Sequence, residues 1–141
     1  GGATILLHFD AVFIAPNAKI KYPFSDLGLA PEVGSSFLLF QSLGYQQAAQ
    51  LLFESQPIDG NRYHELGLAK YVGEDFFDEA NKYAHMLKEQ SLSSIIETKA
   101  ILKSFMQEDL AKSRSMETAA MKKLFGSEDN IKAVEKFFAK K

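Results

Sequence analysis

The sequence contains no cysteine. It therefore offers no disulfide framework, no thiol nucleophile and no cysteine-based metal site. Its three histidines, His8, His64 and His85, lack the paired spacing with which a helix or strand holds a metal ion, and we interpret them as packing or surface residues. Positive charge is not in excess either, because 16 lysines and arginines stand against 18 aspartates and glutamates. This balance argues against a general nucleic-acid binder, so we expect neither a metal site nor a nucleic-acid partner.

Long hydrophobic runs are also absent. A membrane-spanning helix requires roughly 20 apolar residues, whereas the apolar run at residues 5–15 is interrupted by His8 and Asp10. No basic segment of the kind that begins a signal peptide precedes that run. We therefore expect no membrane partner and, as a default, a cytoplasmic protein. The length of 141 residues is that of one domain with a core of its own.

The pattern of apolar residues predicts strands in the first half of the chain and helices throughout the second. Short β-branched and aromatic runs predict strands over residues 11–15, 19–22 and 68–72. Helical spacing of apolar residues predicts helices over residues 3–9, 34–43, 46–54, 61–66, 75–90, 93–105, 108–124 and 128–140. Gly44 is expected to separate the helix over residues 34–43 from the helix over residues 46–54. Ser127 is expected to cap the last helix. A boundary near Gly73 divides the chain into residues 1–73 and a helical part over residues 74–141.

One loop carries the most informative residue. Residues 22–36, YPFSDLGLAPEVGSS, contain two prolines and two glycines, which indicates a shaped loop rather than a continuous helix or strand. Pro31 suits the first position of a helix, so we expect Glu32 in the first helical turn. There Glu32 is either a carboxylate that stabilises the helix start or a catalytic base whose pKa is raised by apolar neighbours. The residues alone favour the first interpretation.

The order of several short motifs resembles a known family. The chain begins with GGATILLHFDAVFIAPNAKIKYPFSDLGLAPEVGSSFLLFQSLG, continues with AAQLL at residues 48–52 and reaches GLAKYV at residues 67–72. Each motif is weak by itself, but their order and spacing together are specific. The sequence is similar to the crotonase (enoyl-CoA hydratase/isomerase) superfamily, and most of all to the Δ3,Δ2-enoyl-CoA isomerases, over nearly the whole chain.

This resemblance implies an α/β fold, namely the C-terminal portion of a crotonase-like ββα spiral over residues 1–73 followed by a helical trimerisation region over residues 74–141. It implies that the protein binds an acyl-CoA, with coenzyme A as part of the substrate and no separate cofactor, and forms a trimer or a dimer of trimers. Family members carry about as much chain again before the Gly-Gly start. We therefore expect the C-terminal part of a longer protein, which is a poor catalyst on its own and self-associates through apolar faces.

The resemblance also implies residue roles. Glu32 matches the single glutamate of the isomerases, and Gly1 matches the helix-start glycine whose N–H binds the thioester oxygen. The two glutamates of the hydratases fall here on Thr4 and Phe24, which cannot activate water as a carboxylate does. The implied activity is therefore the shift of a 3-enoyl-CoA double bond to a 2-enoyl-CoA in fatty-acid oxidation.

Other roles are less specific. The apolar residues that we expect to line an acyl pocket are Leu27, Leu29, Phe37 and Leu38, although any one of them is more commonly plain core. Lys140 and Lys141 suit the phosphates of coenzyme A, although a frayed basic tail is the commoner finding. The alternatives are another crotonase-superfamily reaction on an acyl-CoA, or a non-catalytic crotonase-like module for acyl-CoA binding or oligomerisation. Glu32 separates these alternatives, because a binding module needs no ionisable group there.

Overall fold

The computed structural model describes residues 1–139. The first half contains helix α1 (Gly2–Leu6), strand β1 (Phe13–Ile14), a 3-10 turn (Ser25–Leu27), helix α2 (Ser35–Glu54), helix α3 (Gly60–Glu65) and strand β2 (Tyr71–Val72). The second half contains helices α4 (Phe76–Lys88), α5 (Leu92–Ser104), α6 (Gln107–Leu124) and α7 (Glu128–Ala139). The mixed first half and helical second half were both expected, whereas the division into two domains at residue 73 stays a prediction.

The strands are shorter than the sequence suggests. Strands β1 and β2 form a two-stranded parallel sheet in which Phe13 pairs with Tyr71 and Ile14 with Val72. The strand predicted over residues 19–22 is wrong, because only Ile20 forms a bridge there, antiparallel to Ile58. A strand continues only where a neighbouring backbone offers its hydrogen-bonding groups, and the neighbour here does so at a single residue.

One hydrophobic cluster holds the first half together. It joins β1 and the loop after it to helices α2 and α3 and to the residues just before β2. Its members are Val12, Ile14, Ile20, Tyr22, Phe24, Leu39, Ala48, Tyr63 and Ala69. The hydroxyl groups of Tyr22 and Tyr63 are buried without a hydrogen bond of good geometry. Burial raises the pKa of Tyr22, and the neighbouring Tyr63 raises it further. These phenols therefore stay neutral and act as core.

Helix α2 bends at Gly44, as predicted. Gly44 has φ 74° and ψ 171°, which lies outside the right-handed helical region and lets the two arms of α2 run in different directions. Helix α3 begins at a conventional cap, in which Asp59 Oδ1 accepts the N–H of Arg62 at 2.8 Å.

Two helices of the second half pack on the loop region of the first half. Helix α6 packs against α2, and α7 packs against the 3-10 turn. Ser127 caps α7 as predicted, because its hydroxyl accepts the N–H of Asn130 at 3.2 Å. Asn130 is 6% exposed, and its Nδ2 donates to the carbonyl of Leu27 at 2.6 Å. This contact fixes the C-terminal helix to the loop that leads towards Glu32.

Large apolar side chains stay exposed on the second half, among them Phe77, Phe105 and Phe125. Such surface is typical of a contact with another chain. Within residues 1–139, every helix is too short or too polar to cross a lipid bilayer.

Candidate active site

Glu32 lies in a tight turn before α2. Helix α2 begins at Ser35, and the N–H of Ser35 donates to the carbonyl of Glu32 at 3.0 Å. Between them Val33 has φ 59° and Gly34 has φ 74°, so both central residues are left-handed, as in a type I′ turn. We call residues 32–35 the Glu32 turn. The prediction that Glu32 occupies the first turn of a helix is wrong, because two consecutive left-handed residues interrupt the right-handed helix before Glu32 is reached.

The turn brings Glu32 next to the start of the chain. The amino group of Gly1 donates to Oε1 of Glu32 at 3.0 Å, although the two residues are 31 positions apart. The Glu32 side chain is 43% exposed, so its carboxylate is open to a ligand. The two groups to which the resemblance gives roles in one reaction therefore lie in direct contact.

A cavity of about 420 Å³ adjoins this contact. The Glu32 turn forms one wall and helix α6 the other, through Pro31, Glu32, Val33, Arg114, Glu117, Thr118, Met121 and Lys122. Two acidic residues, Glu32 and Glu117, and two basic residues, Arg114 and Lys122, belong to this lining. A concave site with a few charged side chains can fix the orientation of a polar ligand.

Glu117 of α6 is the residue that sequence reasoning missed. It is 6% exposed; its Oε2 accepts the N–H of Gly34 at 2.7 Å, and its Oε1 accepts the N–H of Ser36 at 3.0 Å. The hydroxyl of Ser36 donates to Oε1 at 2.6 Å and lies 2.9 Å from the hydroxyl of Ser113. Glu117 thus caps α2 from another helix. A lone glutamate within a polar helix carries no sequence signal for such a role.

His8 holds the other side of the same turn. Its Nε2 lies 2.7 Å from the carbonyl oxygen of Val33. Because a carbonyl oxygen only accepts hydrogen bonds, Nε2 carries the proton. The interpretation of His8 as a packing residue is therefore incomplete, since it also binds the backbone beside Glu32.

The predicted acyl-pocket residues do not all line one cavity. Leu38 lines a second cavity of about 900 Å³, bounded by residues 7–10 and by helices α4, α5 and α6. Leu27, Leu29 and Phe37 do not line this cavity. Leu27 lies in the 3-10 turn that packs against α7. Arg114 belongs to the walls of both cavities and so marks where they approach each other.

The two positions that the resemblance matches to the hydratase glutamates, Thr4 and Phe24, are buried. Thr4 is buried, and its hydroxyl donates to the carbonyl of Gly1 at 2.8 Å. Phe24 belongs to the hydrophobic cluster. Neither side chain presents a group that takes a proton from water. Lys140 and Lys141, considered for the phosphates of coenzyme A, lie outside the described residues.

Comparisons with known proteins agree with this architecture. The crystal structure of an enoyl-CoA hydratase/isomerase from Pseudoalteromonas atlantica T6c superposes with a TM-score of 0.91 at 27% identity, covering 99% of this chain and 57% of that one. The short-chain-enoyl-CoA hydratase of Clostridium acetobutylicum is 26% identical over 143 residues, which cover 100% of this chain and 55% of that protein. The peroxisomal enoyl-CoA delta isomerase 3 of Mus musculus is 26% identical over 140 residues, covering 98% of this chain and 44% of that protein.

This chain thus spans about half the length of the relatives that it matches. The similarity of structure confirms the predicted fold class, an α/β crotonase portion with a helical region. The family model for enoyl-CoA hydratase/isomerase matches this chain over residues 1–141. On that match, the chain belongs to the enoyl-CoA hydratase/isomerase family.

Proposed function

We propose that this chain carries the catalytic base of an enoyl-CoA isomerase, which converts a 3-enoyl-CoA into the conjugated 2-enoyl-CoA. The observation that carries the proposal is the 3.0 Å contact between Oε1 of Glu32 and the nitrogen of Gly1. It joins the group proposed to move the proton to the group proposed to bind the thioester oxygen.

The reaction needs only one carboxylate. Glu32 takes a proton from C2 of the 3-enoyl-CoA, and the electron pair of the broken C–H bond moves into a dienolate with its negative charge on the thioester oxygen. The protonated Glu32 then returns the proton to C4, so that the double bond moves from C3–C4 to C2–C3 and the carboxylate is restored. The N–H of Gly1 stabilises the oxygen charge, and loss of one such donor in a comparable site costs on the order of 100- to 1,000-fold in rate.

The contact between Gly1 and Glu32 has to open during this reaction. A separation of 3.0 Å is an ordinary hydrogen-bond length and leaves no space for a carbonyl oxygen between the two groups. An exposed hydrogen bond of this kind contributes little net stability. Displacement of the contact by a thioester is therefore inexpensive.

Isomerisation is favoured over hydration by the side chains at positions 4 and 24. The family includes hydratases as well as isomerases, so membership alone does not choose between the reactions. Addition of water in the hydratases uses two carboxylates, whereas this chain has a hydrogen-bonded Thr4 and a buried Phe24. Glu32 is the carboxylate to which this proposal assigns the chemistry.

The remaining parts of the proposal concern the ligand and the assembly. The acyl chain occupies the cavity lined by Leu38, whose volume of about 900 Å³ lies within the usual range for small-molecule sites. The exposed phenylalanines of the second half support assembly as a trimer or a dimer of trimers. A cytoplasmic location stays a prediction.

Product analysis tests the proposal. The 141-residue chain is incubated with a 3-enoyl-CoA and, separately, with a 2-enoyl-CoA, at protein concentrations above that of substrate so that a slow catalyst is still detected. We expect the first substrate to give 2-enoyl-CoA and the second to give no 3-hydroxyacyl-CoA. Hydration of the second substrate as fast as isomerisation of the first would contradict the proposal. Binding of both without turnover would instead support the non-catalytic module.

A further inference from the structure

We infer that Glu117 is a positioning residue for Glu32: from helix α6 it holds, together with His8, the peptide group that joins Val33 to Gly34. This inference rests on the proposed function, because it concerns the placement of the proposed base. Glu117 itself touches no reacting atom in this scheme. It acts through the backbone of the Glu32 turn.

The peptide group between Val33 and Gly34 is held at both ends. Its carbonyl oxygen accepts from Nε2 of His8 at 2.7 Å, and its N–H donates to Oε2 of Glu117 at 2.7 Å. The two partners come from opposite parts of the chain, one after α1 and one within α6. A peptide group with both of its polar atoms engaged in this way cannot rotate without breaking two hydrogen bonds.

The turn needs such restraint because its conformation is unfavourable. Val33 has φ 59°, and a β-branched residue is rarely found in the left-handed region. Backbone strain of this kind persists only where the surroundings enforce it, and it is concentrated at functional sites. Glu32 directly precedes Val33, so the direction of the Glu32 side chain depends on whether the strained turn is kept.

Glu117 has an unusual environment for a buried carboxylate. Within residues 1–139 no lysine, arginine or terminal amine forms an ion pair with it. Its hydrogen-bond donors are instead backbone N–H groups and serine hydroxyls. The N–H groups of Gly34 and Ser36 and the hydroxyl of Ser36 all donate to it. A charged acceptor makes shorter and stronger hydrogen bonds than a neutral one. A carboxylate at this position therefore holds the turn more firmly than an amide of the same shape.

The first test compares Glu117→Gln with wild type in the conversion of 3-enoyl-CoA to 2-enoyl-CoA. The amide presents an NH2 group to one of the two N–H donors, so one bond to the turn is lost with almost no change of volume. We expect kcat to fall by about 10- to 100-fold with KM changed by less than about threefold, because misplacement of a base affects the reaction step more than binding. The matched control is Glu97→Gln, which changes an exposed glutamate of α5 and should leave both constants unchanged.

A second substitution separates positioning from general stability. Asn adopts the left-handed conformation readily, and Asn-Gly is the preferred pair in type I′ turns, so Val33→Asn removes the strain that Glu117 opposes. We expect Glu117→Gln to reduce kcat by a smaller factor in the Val33→Asn background than in the wild-type background. Equal factors in the two backgrounds, or a rise in KM as large as the fall in kcat, would overturn the positioning role.

Amide hydrogen exchange tests the same inference without any activity. In Glu117→Gln, exchange at the N–H of Gly34 should accelerate by about tenfold or more, while exchange at the core residue Leu39 should not change. Unchanged exchange at Gly34, or equal acceleration at both residues, would overturn the inference. If the wild-type chain does not isomerise a 3-enoyl-CoA, the proposed function fails, and the exchange at Gly34 still decides whether Glu117 holds the turn.

Discussion

Removal of the Asn130 side chain should detach α7 from the loop that leads to Glu32. Nδ2 of Asn130 donates to the carbonyl of Leu27 at 2.6 Å, and its Oδ1 accepts the N–H of Gly126 at 2.9 Å. Asn130→Ala leaves both backbone groups without these partners. Both hydrogen bonds are only partly buried. A typical hydrogen bond contributes about 0.5–1.5 kcal/mol net, so the loss of both predicts a decrease of about 1–3 kcal/mol in the free energy of unfolding.

Asn130→Asp distinguishes the two bonds. The carboxylate keeps the acceptor for Gly126, but at neutral pH it has no proton to donate to Leu27. Protonation restores the donor, and the charged form is also disfavoured by burial, so the pKa of this carboxyl should be raised in the folded state. A carboxyl group with a raised pKa in the folded state contributes its full stability at pH values below its unfolded pKa of about 3.9. That contribution is lost as the pH rises through the pKa of the folded state. Relative to wild type, the Asp variant should therefore be less destabilised at pH 4 than at pH 7.

Urea unfolding at the two pH values measures these differences. The matched control is Asn81→Ala, at an exposed position of α4, which should change the free energy of unfolding by less than about 0.5 kcal/mol. If Asn130→Ala is as stable as the control, or if the Asp variant shows no dependence on pH relative to wild type, the contact between α7 and the loop does not contribute as described.

Three further predictions follow from other contacts. Ser55 is fully buried, and its hydroxyl donates to the carbonyl of Tyr22 at 3.0 Å, so Ser55→Ala should lower the free energy of unfolding in urea by about 1–3 kcal/mol. A hydrogen bond to Asp75 raises the pKa of Tyr71 to about 12; Asp75→Asn should return it towards about 10 in an absorbance titration of the phenol. Sedimentation of the chain should show self-association through the exposed apolar faces of the second half, and a monomer at all concentrations would contradict that expectation.

The helices of the second half were predictable because their signals are local. Helices α4 and α7 have a clear apolar stripe, and breakers or caps such as Gly126 and Ser127 lie at helix ends. The strands were overestimated because strand length depends on pairing between distant residues. Phe13 and Ile14 pair with Tyr71 and Val72, and local composition does not report where that pairing stops.

The motif predicts Glu32 as a site residue, but the sequence indicates neither Glu117 nor the geometry of the Glu32 turn. The conformation of Val33 opposes the preference of a β-branched side chain. That conformation is held by His8 and Glu117, which are distant in sequence. Apolar periodicity likewise could not separate Leu38, which lines a cavity, from Phe37, which does not line it.

The rate of conversion of a 3-enoyl-CoA to the conjugated 2-enoyl-CoA, followed by ultraviolet absorbance, tests the central claim most directly. The comparison is between the wild-type chain, Glu32→Gln and the control Glu97→Gln. A general base contributes about 100- to 10,000-fold to a rate, so Glu32→Gln should be slower than wild type by at least about 100-fold while the control keeps the wild-type rate. A Glu32→Gln chain that isomerises as fast as wild type would contradict the account.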